Sequence, residues 1–218
     1  MKLILKIFYR LFLFIYFLSI ITGLPTFAQL SVDDNNTMVV AQELFANRNF
    51  NEAIRIYDSV IEKNNNYAPA YVERGLAKSY AGDKTNAIED FTIALQKDSN
   101  SISALWNRGS EYRMMGKYKE SISDFDRALK IDSLSVRSAN LFENRGWAKY
   151  DSEQFESSIK DFTNAIYRNT KSAHSYYMRG LAKHKLGKLD EACEDWLLAK
   201  VYGFKYGENE IERFCNKK

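Results

Sequence analysis

The sequence predicts an all-α fold, an α-solenoid of about five stacked helix-turn-helix units closed by a short C-terminal capping helix. Three observations predict it. Arg-Gly recurs at Arg74-Gly75, Arg108-Gly109, Arg145-Gly146 and Arg179-Gly180, at intervals of 34, 37 and 34 residues. An acidic residue followed by an aromatic one recurs at Asp90-Phe91, Asp124-Phe125, Asp161-Phe162 and Asp195-Trp196, at the same intervals. Within each period, apolar and small residues fall at helical spacing, as in Leu105, Gly109, Tyr112 and then Ile122, Phe125, Leu129. No stretch of strand length alternates with period two, so no sheet is expected. Two markers recurring in step mean one supersecondary unit copied along the chain.

The chain starts with a different kind of segment. Residues 1–28 hold Lys2, Lys6 and Arg10 and no acidic residue, followed by the apolar run Leu11–Leu24 and then Pro25-Thr26-Phe27-Ala28. A basic start, an apolar centre and small residues at alternate positions describe a secretory signal peptide, cut between Ala28 and Gln29. As a helix the 14-residue run would reach about 21 Å, short of a hydrocarbon core of about 30 Å. The competing reading is an uncleaved membrane anchor. Residues 29–33 read as a flexible lead-in.

The repeats then divide as 34–67, 68–101, 102–138, 139–172 and 173–206, with a three-residue insertion near Ser135–Asn140. The first copy is degenerate: Ala41 stands in the glycine place and Tyr57 in the aromatic place. Gly82-Asp83, Gly116-Lys117 and Gly187-Lys188 break the chain between the two helices of a unit. Residues 207–218 form a capping helix and tail, with Ile211 and Phe214 on one side.

Gly in the middle of a first helix costs about 1 kcal/mol against Ala. Close approach of the second helix offsets that cost, and Ala87, Ala94, Ala128, Ala165, Ala192 and Ala199 keep the second helices slim. The rings Phe91, Phe125, Phe162 and Trp196 are expected to fill the space between units. A unit of this size cannot bury its own apolar face, so neighbours must stack.

This pattern resembles the tetratricopeptide repeat family, and the N-terminal segment suggests a secreted or periplasmic bacterial type. The third unit carries the resemblance most fully: Leu105, Arg108-Gly109, Tyr112, Gly116, Tyr118, Ile122, Phe125 and Ala128. Ser99, Ser133 and Thr170 replace the Pro that usually closes a unit, and Ser121 and Ser158 stand where the family prefers Ala. The resemblance implies a right-handed superhelix whose first helices line a concave groove. It also implies binding of peptides or protein surfaces rather than catalysis.

Composition narrows the function. Outside residues 1–28, 28 basic side chains face 28 acidic ones, so no global cationic field exists to hold nucleic acid. Two His, two Cys and no phosphate loop, HExxH or GxSxG leave no catalytic or metal constellation. No cofactor, metal or small-molecule substrate is expected. His174 and His184 lie ten apart, which does not put them on adjacent turns of one face.

The candidate binding surface is a second stripe on the first helices: Val72, Leu76, Ser79; Trp106, Ser110, Arg113; Glu143, Trp147, Tyr150; Tyr177, Leu181, His184. Rings and Arg dominate recognition surfaces. We expect Trp106, Trp147, Tyr150 and Tyr177 to bury partner side chains, and Arg113, Glu143, His184 and Lys185 to set orientation. The competing reading has the same rings packing between neighbouring first helices. Met38 and Gln42 in the first unit argue against a carboxylate clamp. The repeated Arg and Asp read as exposed pairs that fix register, each contributing about 0–1 kcal/mol, rather than as an anion-binding row. Cys193 and Cys215 are either a disulfide stapling the cap or two buried thiols.

The expected function is a non-catalytic interaction scaffold outside the cytoplasm, in the periplasm or secreted. It would hold another protein or a peptide in the groove, with no nucleic acid, and touch a membrane only if the signal segment is retained. The alternative is an assembly subunit of an envelope complex that uses its convex face or its ends.

Overall fold

The structure is a computed structural model and describes residues 31–215; the expected signal segment and its Ala28–Gln29 junction lie outside the described residues. Ten helices follow in five pairs: α1 Val32–Ala46 with α2 Phe50–Lys63, α3 Ala68–Tyr80 with α4 Lys84–Lys97, α5 Ile102–Met114 with α6 Tyr118–Ile131, α7 Ser138–Asp151 with α8 Phe155–Arg168, and α9 Ala173–Lys185 with α10 Leu189–Val201. A 3-10 turn Lys205–Gly207, a helical turn α11 Glu208–Glu210 and a π-helical turn Ile211–Cys215 close the chain. Among the described residues there is no strand.

Local chemistry sets the helix ends. The hydroxyls of Ser31, Ser101 and Ser172 and the carboxylate of Asp83 each accept from a backbone N–H in the first turn of the helix they precede. Inside each pair the connection is three residues long, and its middle residue takes the left-handed conformation. Gly82, Gly116 and Gly187 do this at φ of 94°, 72° and 76°, whereas Arg48 and Glu153 are forced there at 62° and 61°. A side chain in that region costs about 1–2 kcal/mol.

The glycine and ring markers meet inside each unit. A Cβ on Gly75, Gly146 or Gly180 would lie 2.7, 3.0 and 2.6 Å from Phe91, Phe162 and Trp196. A Cβ on Gly109 would lie 3.2 Å from Phe125. The rings were expected between units. Each instead rests on the glycine of its own first helix, because only there does a missing side chain leave room. All four rings are fully buried, as is Tyr57 in the first unit. Burying one such side chain contributes about 1.5–3 kcal/mol.

The Arg and Asp markers also pair within the unit, but they are not the exposed pairs expected from sequence. Asp90, Asp124, Asp161 and Asp195 are buried, and Arg74, Arg108, Arg145 and Arg179 each grip one of them with two parallel hydrogen bonds of 2.5–2.9 Å. The remaining Nη1 reaches back to the preceding unit: Arg74 to Asp58 at 2.6 Å, Arg108 to Thr92 at 3.0 Å, Arg145 to Asp126 at 2.6 Å and Arg179 to Thr163 at 3.1 Å. Lys78, Lys149 and Lys183 add a second cation to Asp90, Asp161 and Asp195 at 2.8–2.9 Å. Each guanidinium therefore ties both helices of its unit to the unit before. With both planar edges occupied, the arginines form a register lattice rather than a free anion site.

Each first helix also approaches the first helix of the next unit, while neighbouring second helices stay further apart. The stack therefore curves with the first helices on its inner side. Four residues join most units (64–67, 98–101, 169–172), but six join α6 to α7 (132–137). Helix α7 is one residue longer than α3, α5 and α9. These are the three extra residues seen in the marker spacing.

Candidate functional site

The inner wall is built from the first-helix stripe, and its residues fall into three groups. The first group locks neighbouring first helices together. Arg113 of α5 pairs with Asp151 of α7 at 2.8 Å and lies 5.2 Å from the Trp147 ring centre. Trp147 stacks on His174 of α9 with centroids 5.0 Å apart. Glu143 accepts from His174 Nδ1 at 2.8 Å, from the Ser172 hydroxyl at 3.0 Å and from the Ser175 hydroxyl. Burial pushes the Glu143 carboxyl up, but the bonds from His174 and Ser175 outweigh burial and hold it below its ordinary value. Tyr150 packs edge-on against Phe155 at 5.4 Å, and burial raises its hydroxyl pKa. Trp147 thus packs between neighbouring first helices, the reading that competed with partner contact, whereas Tyr150 packs on the second helix of its own unit.

The chain's own C-terminal segment covers the second group. Phe204 lies 4.6 Å from Tyr177, and the Tyr177 hydroxyl donates to Glu210 at 3.2 Å. Burial, then the Glu210 charge, push the Tyr177 hydroxyl up to about 12. Phe214 lies 4.6 Å from His184, and Ile211 packs with Tyr177, Leu181 and Trp196. A disulfide between Cys193 and Cys215, with Cα atoms 5.7 Å apart, fastens this segment to α10. Tyr177 and His184, expected to face a partner, face this tail. A sixth unit would place its first helix there, so the tail satisfies the same apolar surface.

Trp106, Ser110 and Lys185 make up the third group, which stays accessible. Trp106 is 39% exposed, Ser110 is half-buried and Lys185 is exposed at the end of α9. The counterparts of Trp106 in the neighbouring units are Val72, Glu143 and Tyr177; Val72 is buried, and the other two are covered as described.

Glu111 is a buried residue that sequence reasoning missed. It is 4% exposed, accepts from the Ser79 hydroxyl with one oxygen, and has no partner for the other. In the other three full units the same position holds Ala77, Ala148 or Ala182, each fully buried. That substitution of Glu for Ala was the available signal. Among the described residues no cluster of three or more His, Cys, Asp and Glu side chains could hold a metal ion. Nor is any described helix long and apolar enough to cross a membrane.

Comparison with known proteins agrees with this architecture. Residues 102–134 match one tetratricopeptide repeat model and residues 144–201 match another. No curated protein sequence matches the chain. Among solved structures, MamA (residues 41 to the end) from Desulfovibrio magneticus RS-1 superposes with a TM-score of 0.73 at 16% identity, covering 80% of this chain and 97% of that one. PilW, described as a widely conserved type IV pilus biogenesis factor, gives 0.68 at 17% identity, covering 87% and 96%. YrrB, described as a tetratricopeptide repeat protein with an unusual peptide-binding site, gives 0.69 at 15% identity, covering 81% and 90%. Identities this low speak for the fold alone. With the marker residues, the helix pairs and the matched segments in agreement, the chain is a solenoid of tetratricopeptide repeats.

Proposed function

We propose that the protein is a non-catalytic scaffold that holds a segment of another protein against the inner wall of its stack, in the envelope or outside the cell. The observation that carries this reading is the uneven covering of the wall. At the Trp106 level the other units are closed, Val72 by burial, Glu143 by its bonds to the next unit and Tyr177 by the tail, while Trp106 remains accessible on α5. A rigid wall with an accessible aromatic residue is a suitable place for a partner to anchor. The likeness to YrrB, described as having a peptide-binding site, supports the mode. The basic-then-apolar N-terminal segment and the likeness to PilW support the location.

A second reading is an assembly subunit that uses its outer face. Leu197, Leu198 and Val201 of α10 are 49%, 38% and 75% exposed, and Tyr167 of α8 is 82% exposed, all on second helices. A photo-crosslinking side chain introduced at Ser110 or at Leu197 separates the two. The scaffold reading expects a discrete crosslinked partner from Ser110. Adducts from Leu197 with none from Ser110 would replace it with the assembly reading, and adducts from neither site would remove both.

A further inference from the structure

The insertion between the third and fourth units does more than lengthen a loop. It opens a cleft of about 390 Å³ between the start of α5 and the start of α7, walled by Ile102, Trp106, Asp132, Arg137, Asn140 and Leu141. That volume sits at the small end of the about 300–1,000 Å³ typical of ligand sites and suits one large side chain with its backbone.

The corresponding junction one unit later shows what is missing. There Glu143, the counterpart of Trp106, fills the space with a carboxylate. His174 and Ser175 of α9, and Ser172 just before it, donate to it. In the cleft an indole replaces that carboxylate, Asn140 stands in the place of His174, and Leu141 in the place of Ser175. The third donor, Ser138, is turned into its own loop, where its hydroxyl donates to the backbone oxygens of Ser133 and Ser135. The Arg137 and Asn140 side chains are exposed and make no hydrogen bond or close ion pair to another described residue, although the Arg137 charge acts on the Asp132 carboxyl. Asp132 makes no hydrogen bond to either: its carboxylate accepts from both the backbone N–H and the hydroxyl of Ser135, and those bonds, with a smaller contribution from the Arg137 charge, hold it below its ordinary value. The cleft thus keeps cationic and amide donors, has an indole where the next junction has its carboxylate, retains one acid, Asp132, already engaged by Ser135, and offers an apolar floor of Ile102, Leu141 and the Trp106 ring.

We infer that this cleft docks a peptide segment in which an aliphatic or aromatic side chain is followed by a carboxylate, the side chain entering against Trp106 and the acid meeting Arg137 and Asn140. The acid supplies from outside what Glu143 supplies inside the next junction. The adjoining linker residues Leu134 and Val136, 90% and 74% exposed, give such a segment further apolar surface to cover. This inference rests on the scaffold reading and adds a chemistry to it.

The test titrates the purified protein with acetylated, amidated tetrapeptides, Gly-Leu-Asp-Gly against Gly-Leu-Lys-Gly, and follows the indole N–H resonances by NMR. The signal lost in Trp106→Phe assigns the reporter. We expect the Trp106 signal to move with the Leu-Asp peptide at an affinity at least tenfold above that for Leu-Lys. Arg137→Glu, an exposed linker substitution, should reverse that preference, and Trp106→Ala should abolish the heat of binding of both peptides in calorimetry. Equal response to the two peptides, or a preference unchanged by Arg137→Glu, overturns the inference. So does a concentration-dependent dimer by light scattering that dissociates on Trp106→Ala, which would make the occupant a second copy. A flat titration beside crosslinking from Ser110 overturns the cleft and spares the scaffold reading. Crosslinking from neither position removes the scaffold reading whatever the titration shows.

Discussion

Ala41 and Gly180 occupy the same repeat position at opposite ends of the stack, and their surroundings differ. Around Gly180, the Trp196 indole fills the space a Cβ would need. Asp195 is held by Arg179 and Lys183, Arg179 reaches back to Thr163, and a disulfide fastens the tail over the end of the stack. Around Ala41, the first unit has Val40 and Ile56 where the others have Arg and Asp, so it lacks the lattice. Its substitute is local: Asp34 accepts from Ser31 and from Asn64 at 2.8 Å, and those bonds keep its carboxyl below the ordinary value. Val39 and Val40 stay half exposed on α1. Stability in stacked repeats is close to a sum of unit and interface contributions. The first unit should therefore open first, and the fifth should be the anchor.

The largest test of that contrast removes a lattice acid. Asp195→Ala leaves Arg179 without its counter-ion and Lys183 with only Glu191, 3.5 Å away, and we expect a loss of about 3–5 kcal/mol in chemical denaturation. If amide exchange then shows the fifth unit still outlasting the first, the lattice is not what distinguishes them. Next, Cys215→Ser frees the tail; releasing a loop with a sequence separation of 22 should cost about 3 kcal/mol on the loop-entropy account. Reductant should lower the melting temperature of the native protein and leave this variant unchanged.

The paired substitutions Gly180→Ala and Ala41→Gly sharpen the comparison further. Forcing a Cβ against Trp196 should cost about 1–3 kcal/mol. The reverse change in the first unit should cost only about 1 kcal/mol, from helix propensity. Equal effects would mean that the indole yields as easily as the first unit's Tyr57.

A comparably small effect concerns the junction next to the anchor. Glu143→Gln loses charged hydrogen bonds from His174 and Ser175 and should cost about 1–2 kcal/mol at neutral pH. Because the folded carboxyl lies below its ordinary value of 4.5, its contribution is present above that pH and is lost as pH falls through the folded value. The native protein and the variant should therefore converge in stability once the pH has fallen below the folded value. A gap that stays constant into acid would show that His174 and Ser175 do not stabilise the charged form.

Much of this architecture is legible in sequence because the repeat writes it four times. Arg-Gly, Asp-aromatic and the intervening glycine turns fix the helix pairs, and the ring needs a glycine opposite. What periodicity cannot show is the covering of each face. Trp147, Arg113 and Glu143 lie on the stripe that spacing picks out, yet they are engaged by α9 and by Asp151, whose approach depends on curvature. Burial of the Asp side chains is equally hidden, since an acid at helical spacing normally implies solvent until a bidentate arginine is seen above it. The insertion is visible as a count of 37, but the count does not reveal that two residues extend the linker, that one extends α7, and that a cleft results.

The fastened tail also sets how the array can be lengthened. A designed 34-residue module inserted before α9 would find an arginine socket on each side and could join without reworking either neighbour. A module added after Val201 would first have to evict Phe204, Ile211 and Phe214 and break a covalent bond. For protein engineering, this makes the solenoid extensible from within and sealed at one terminus.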